Sequence, residues 1–103
     1  MLEPTVEPRI KLRIAAVTAQ RDQDFTAKRV VLVEALKIAI SSMDRSASSR
    51  KQRYLMPLIE TYRWALDELE SMAYGGYRET ERINAICTLL RNISRELPDA
   101  QQV

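Results

Sequence analysis

The sequence predicts an all-α fold: a small three- to four-helix bundle with a C-terminal antiparallel helical hairpin. Three observations carry this expectation. Leu58, Tyr62, Ala65, Leu69 and Met72 recur at spacings of 4, 3, 4 and 3 residues, and Ile83, Ile86, Leu90, Ile93 and Leu97 at 3, 4, 3 and 4. Such spacings return a side chain to one face of a helix. Both glycines of the chain, Gly75 and Gly76, fall between these two stripes, where residues without a Cβ permit a tight reversal. The hydrophobic fraction of 46% and charged fraction of 29% are those of a folded chain, not a disordered one.

Length sets the next constraint. A chain of 103 residues makes one domain, and at this size folding buries only about 60–70% of the unfolded surface. A lone hairpin would be marginal. A further helix, a partner or self-association is therefore expected.

Each element can be justified in order. Pro4 and Pro8 mark residues 1–8 as an extended arm, and the single helical domain is expected over 9–97. Residues 9–14 alternate polar and apolar, the strand period, but Ile10, Ile14 and Val17 also fit a helix. Ala15, Ala16 and Ala19 tip residues 9–21 towards helix. The polar stretch Asp22 to Asp24 can cap the next helix, Phe25 to Met43. Its main stripe is Phe25, Leu32, Leu36, Ala39 and Met43, with Val30, Val31, Val33, Ile38 and Ile40 around it. A helix apolar over so much of its circumference belongs at the centre of a bundle or at a subunit interface, and a homodimer follows as the expected assembly.

Asp44 to Ser49 reads as a serine-rich turn, and Ser49-Arg-Lys-Gln52 matches a capping box. Pro57 then either kinks a helix begun at Ser49 or starts a new one. The hairpin's second arm should run from Arg78 to Leu97, stopped by Pro98, with residues 98–103 as a frayed tail.

Several function classes are excluded or weakened by composition. The chain has no histidine and one cysteine, Cys87. That removes the commonest general acid–base, histidine-dependent nucleophilic dyads and ordinary zinc sets, so no metal and no cofactor are expected. Two adjacent glycines make no phosphate-cradling loop. The remaining enzyme class would bind an anionic metabolite through Arg13, Arg29, Lys37 and Arg50; no motif supports it, and no enzyme is expected. No apolar run reaches the roughly 18–20 residues of a membrane span, and residues 1–8 lack a basic start and a hydrophobic core. A cytoplasmic protein with no membrane partner is the resulting expectation.

Two interaction readings survive. The first is a non-enzymatic protein–protein interaction module of adaptor, regulator or chaperone type. Trp64 lies two residues beyond Tyr62, about 200° around the helix, so it falls off the apolar stripe. With Tyr54, Met56 and Ile59 it forms the candidate partner surface. The alternative is a helical dimer that binds RNA or DNA backbone without reading sequence, similar in size and build to small silencing suppressors. It would use Arg45, Arg50, Lys51 and Arg53 of the basic segment 44–56, with Arg91 and Arg95 of the last helix. The net charge is only +2 but uneven: that basic segment is followed by an acidic one holding Glu60, Asp67, Glu68 and Glu70. On the last helix, Arg78, Arg82, Asn84, Thr88, Arg91, Asn92 and Arg95 are expected on the outer face, with Arg82 paired to Glu79.

Overall fold

The computed structural model describes residues 6–47, 55–72 and 76–94. Among the described residues there are four α-helices: α1 (Val6–Arg21), α2 (Phe25–Ala47), α3 (Met56–Ser71) and α4 (Tyr77–Ser94). The capping box at 49–52, Gly75, and the tail beyond Ser94 lie outside the described residues.

Helix α1 starts at Val6, inside the expected arm. Pro8 is tolerated because it sits in the first turn, where backbone N–H groups have no intrahelical acceptor to lose. Glu7 in the first turn and Arg21 in the last complement the helix dipole. The inward stripe is Arg9, Leu12, Ala16 and Ala19. The isoleucine stripe points elsewhere: Ile14 is 59% exposed, and Ile10 and Val17 are half-buried. Two alanines on the inner face let α1 approach its neighbours closely. The helix ends where Asp22 N–H is shared between the carbonyls of Thr18 and Ala19, both at 3.2 Å. Asp22 Oδ1 then accepts from Asp24 N–H at 2.9 Å, and the Asp24 carbonyl takes the Lys28 N–H at 3.0 Å. The loop thus supplies both the exit from α1 and the first hydrogen bond of α2.

Helix α2 continues to Ala47, through residues expected to form a turn. Leu32, Leu36, Ala39 and Met43 are fully buried. α2 packs against α1 and α3 and also touches α4. Its circumference is not wholly covered, however, since Val30 and Ile38 are more than half exposed.

Pro57 is the second residue of α3, in the first turn and not the interior, where its fixed φ suits the helix and its missing N–H costs no intrahelical bond. Ile59, Tyr62, Ala65 and Leu69 form the buried stripe, flanked by Leu55 and Met72. Leu58 is only half-buried. At the far end, Met72 turns extended and its N–H reaches the Leu69 carbonyl at 3.2 Å. Arg29 of α2 also caps this end, donating from Nε to the Leu69 carbonyl at 2.8 Å and from Nη2 to the Glu70 carbonyl at 3.3 Å. A cation at a helix C-terminus satisfies orphan carbonyls and complements the dipole.

Gly76 opens α4: its carbonyl accepts from Thr80 N–H and Oγ1, both at 3.0 Å. No described residue has a positive φ. A Cβ on Gly76 would lie 3.3 Å from Glu79 Oε1, the end of a flexible side chain that can shift aside. Ile83, Ile86, Cys87 and Leu90 of α4 are buried; Ile93 is half-buried.

The two arms of the C-terminal pair are adjacent in sequence but make only marginal contact with each other. α3 packs on α2 and α4 on α1. The bundle is consequently open along the α3–α4 seam.

Candidate functional site: the open α3–α4 groove

The seam forms a groove of about 370 Å³ lined by Trp64 and Glu68 of α3 and by Arg82, Ala85, Ile86 and Leu89 of α4. Its floor is apolar. Ile86 is buried, Leu89 half-buried and Ala85 exposed. Trp64 forms one wall and remains 51% exposed. Its exposure follows from helix geometry: Tyr62 lies about 160° and Ala65 about 100° from it around the helix, so with both turned inward residue 64 is directed outwards. At the rim, Arg82 Nη2 donates to Glu68 Oε1 at 2.8 Å. Arg82 therefore pairs across the seam and not with Glu79. This exposed pair contributes at most about 1 kcal/mol, so it decorates the opening without closing it.

The expected partner surface divides. Trp64 and Met56 are exposed. Ile59 is fully buried and belongs to the core, because it lies three residues before Tyr62 and shares its face. Met56 does not line the groove. Tyr54 lies outside the described residues, as do Arg50, Lys51, Arg53 and Arg95. Of the expected backbone-binding residues, Arg45 is exposed. Arg91 is half-buried and donates from Nη1 to Gln20 Oε1 at 2.6 Å.

That contact belongs to a polar seam between α1, α2 and α4 that sequence reading placed on the outer surface. Gln20 Nε2 donates to Thr88 Oγ1 at 3.1 Å, and Thr88 Oγ1 donates to the Asn84 carbonyl at 3.1 Å. Lys28, only 5% exposed, donates from Nζ to Asn84 Oδ1 at 2.6 Å. Cys87 sits fully buried beside them. Burial pushes its thiol pKa up, against the opposing pull of Lys28 and Arg91. Hydrogen bonds satisfy these polar groups, and the cluster reads as a structural clasp. Charge pattern alone does not reveal it, since Asn84, Thr88 and Arg91 look like a solvated helix face.

A smaller groove of about 210 Å³ runs beside α2, lined by Thr26, Arg29, Val30, Val33, Glu34 and Glu70. Among the described residues no group of His, Cys, Asp or Glu is arranged to hold a metal ion, and no helix is long and apolar enough to cross a membrane.

No protein-family model matches the chain, and no curated protein or solved structure matches it. Its functional reading therefore rests on the geometry of these surfaces.

Proposed function

We propose that this chain is a non-enzymatic helical interaction module that recognises another protein in the α3–α4 groove and acts as a homodimer. One observation carries the reading: a half-exposed tryptophan beside an apolar groove between two helices that barely touch. Trp64 contributes nothing to the buried core, yet tryptophan is enriched among residues that anchor protein interfaces. A groove between two helices suits a third helix, whose apolar stripe would complete the packing the seam lacks. Self-association is assigned to the outer edge of α2, where Val30 and Ile38 are exposed large apolar side chains.

The test separates the two surfaces. Trp64→Ala should keep the helical circular-dichroism signal and the oligomeric state while losing partner binding. A folded Trp64→Ala variant that retains every partner rejects the groove as the recognition site. Val30→Glu with Ile38→Glu should convert a dimer to a monomer in light scattering. A wild-type chain that is monomeric at tens of micromolar rejects the dimer.

A further inference from the structure

We propose that the occupant of the α3–α4 groove is a cationic amphipathic helix of a partner protein. This inference rests on the groove being a recognition site and adds the chemistry of what enters it.

The lining of the groove holds one charged pair, Glu68 with Arg82, and the charge beyond it on α3 is one-sided. Glu60 and Asp67 are exposed there, and Glu68 is half-buried at the wall. The one basic residue of that helix, Arg63, is tied to Asp44 of α2. Helix geometry places these acids around the tryptophan. Glu60 and Asp67 stand about 40° and 60° to one side of Trp64, and Glu68 about 40° to the other, at the groove wall. The α4 side is balanced, with Arg78 and Arg82 against Glu79 and Glu81. A helix seated in the groove would lay its apolar stripe on Trp64, Ala85, Ile86 and Leu89. Its flank on the α3 side would then pass over Trp64 towards Glu60 and Asp67. Lysine or arginine there gains both carboxylates and the tryptophan face. Glutamate or aspartate there meets like charge and is rejected.

The whole molecule carries a net charge of +2, so its long-range field repels a cationic probe. Preference for such a probe must come from the local field at the groove, within a Debye length of about 8 Å at physiological salt.

Two 18-residue amphipathic peptides of identical leucine pattern make the test, one with lysine and one with glutamate on the polar face. Each is titrated into the full chain and followed by Trp64 emission, which reports one site because the chain has a single tryptophan. The lysine peptide should bind saturably and at least tenfold tighter than the glutamate peptide, with affinity falling as salt rises. The double reversal Glu60→Lys with Asp67→Lys, at two exposed positions, should invert the preference. Anisotropy of a labelled lysine peptide should show at least a tenfold loss with Trp64→Ala. Equal binding of both peptides, or a lysine preference that survives the reversal, overturns the cationic occupant and leaves the groove itself standing. Binding that is unchanged by Trp64→Ala overturns the groove as well. A shift of Trp64 emission on dilution of the chain alone assigns the groove to a second copy and overturns the partner helix.

Discussion

Lys28 of α2 holds its ammonium 2.6 Å from the side-chain carbonyl of Asn84 on α4, in a part-buried hydrogen bond made by a residue only 5% exposed. The partner is neutral, so the bond satisfies one donor of a charge that remains inside the fold. Removing the acceptor is then worse than removing the pair. Asn84→Leu is expected to destabilise the chain by about 2–4 kcal/mol, because it strands a buried cation. Lys28→Met in the same background should recover most of that loss. Urea unfolding of the single and double variants measures the coupling; strict additivity would mean that the bond carries no weight.

Arg9 poses the opposite case. It occupies the inward stripe of α1, is 3% exposed, and its Nε and Nη1 lack hydrogen-bond partners. A guanidinium does not shed its charge at any ordinary pH. Burying it costs several kcal/mol that no described contact repays. Arg9→Met keeps the length and apolar stem of the side chain. It should raise the urea midpoint, corresponding to about 1–3 kcal/mol. A lowered midpoint would show that the packing of the Arg9 side chain outweighs the cost of burying its charge.

Cys87 should make stability depend on pH from the alkaline side. Burial raises the folded-state pKa of its thiol, whereas the unfolded thiol titrates near its ordinary value of about 8.5. The folded state thus retains a proton that the unfolded state releases. This contribution is complete below about pH 8.5 and is lost as pH rises through the folded-state value. Between pH 8 and 10 the wild-type chain should lose more stability than Cys87→Ala measured alongside it, which cancels the common contribution of tyrosines and lysines. Parallel curves would contradict a raised thiol pKa. The same burial should make the folded thiol slow towards iodoacetamide at neutral pH.

The sequence made some of this structure legible and hid the rest for physical reasons. The α3 and α4 stripes and the start at Pro57 rest on local rules, helical periodicity and the tolerance of proline in a first turn, and those rules decide locally. The inner face of α1 was hidden because Ile10, Ile14 and Val17 are stronger apolar signals than Ala16 and Ala19. Close helix approach favours the small residues all the same. Gly76 was legible as a boundary, and it stands at the start of α4. The open seam was beyond local rules altogether. It follows from α3 packing on α2 while α4 packs on α1, a choice made by non-local contacts. Trp64 was visible as an off-stripe residue, but the groove beside it required the pairing of helices.

Arg29 gives a prediction about how α3 ends. Its Nε and Nη2 reach the carbonyls of Leu69 and Glu70 from α2. Arg29→Ala should cost about 1–2 kcal/mol, as expected for a charge-assisted bond at a helix C-terminus. Hydrogen exchange should speed up in the last turn of α3 before it does so in α2. Arg29→Lys keeps the charge but not the fork, and should recover only part of the loss. Uniform acceleration across all four helices would mean that Arg29 acts through global packing.

Ile59 and Trp64 separate core from site most sharply. They lie five residues apart on one helix, and the sequence groups both with the partner surface. Ile59 is fully buried and Trp64 is half exposed. Ile59→Ala removes buried methylenes and leaves a cavity, so a loss of about 2–5 kcal/mol is expected. Trp64→Ala removes a side chain the core does not contain, and should cost under about 1 kcal/mol. Peptide binding should respond the other way round: lost with Trp64→Ala, retained by Ile59→Ala wherever that variant is still folded. Thermal unfolding and peptide titration on the same two proteins check both halves. If Trp64→Ala unfolded the chain as readily as Ile59→Ala, the tryptophan would be part of the core and the recognition role proposed for the groove would fall.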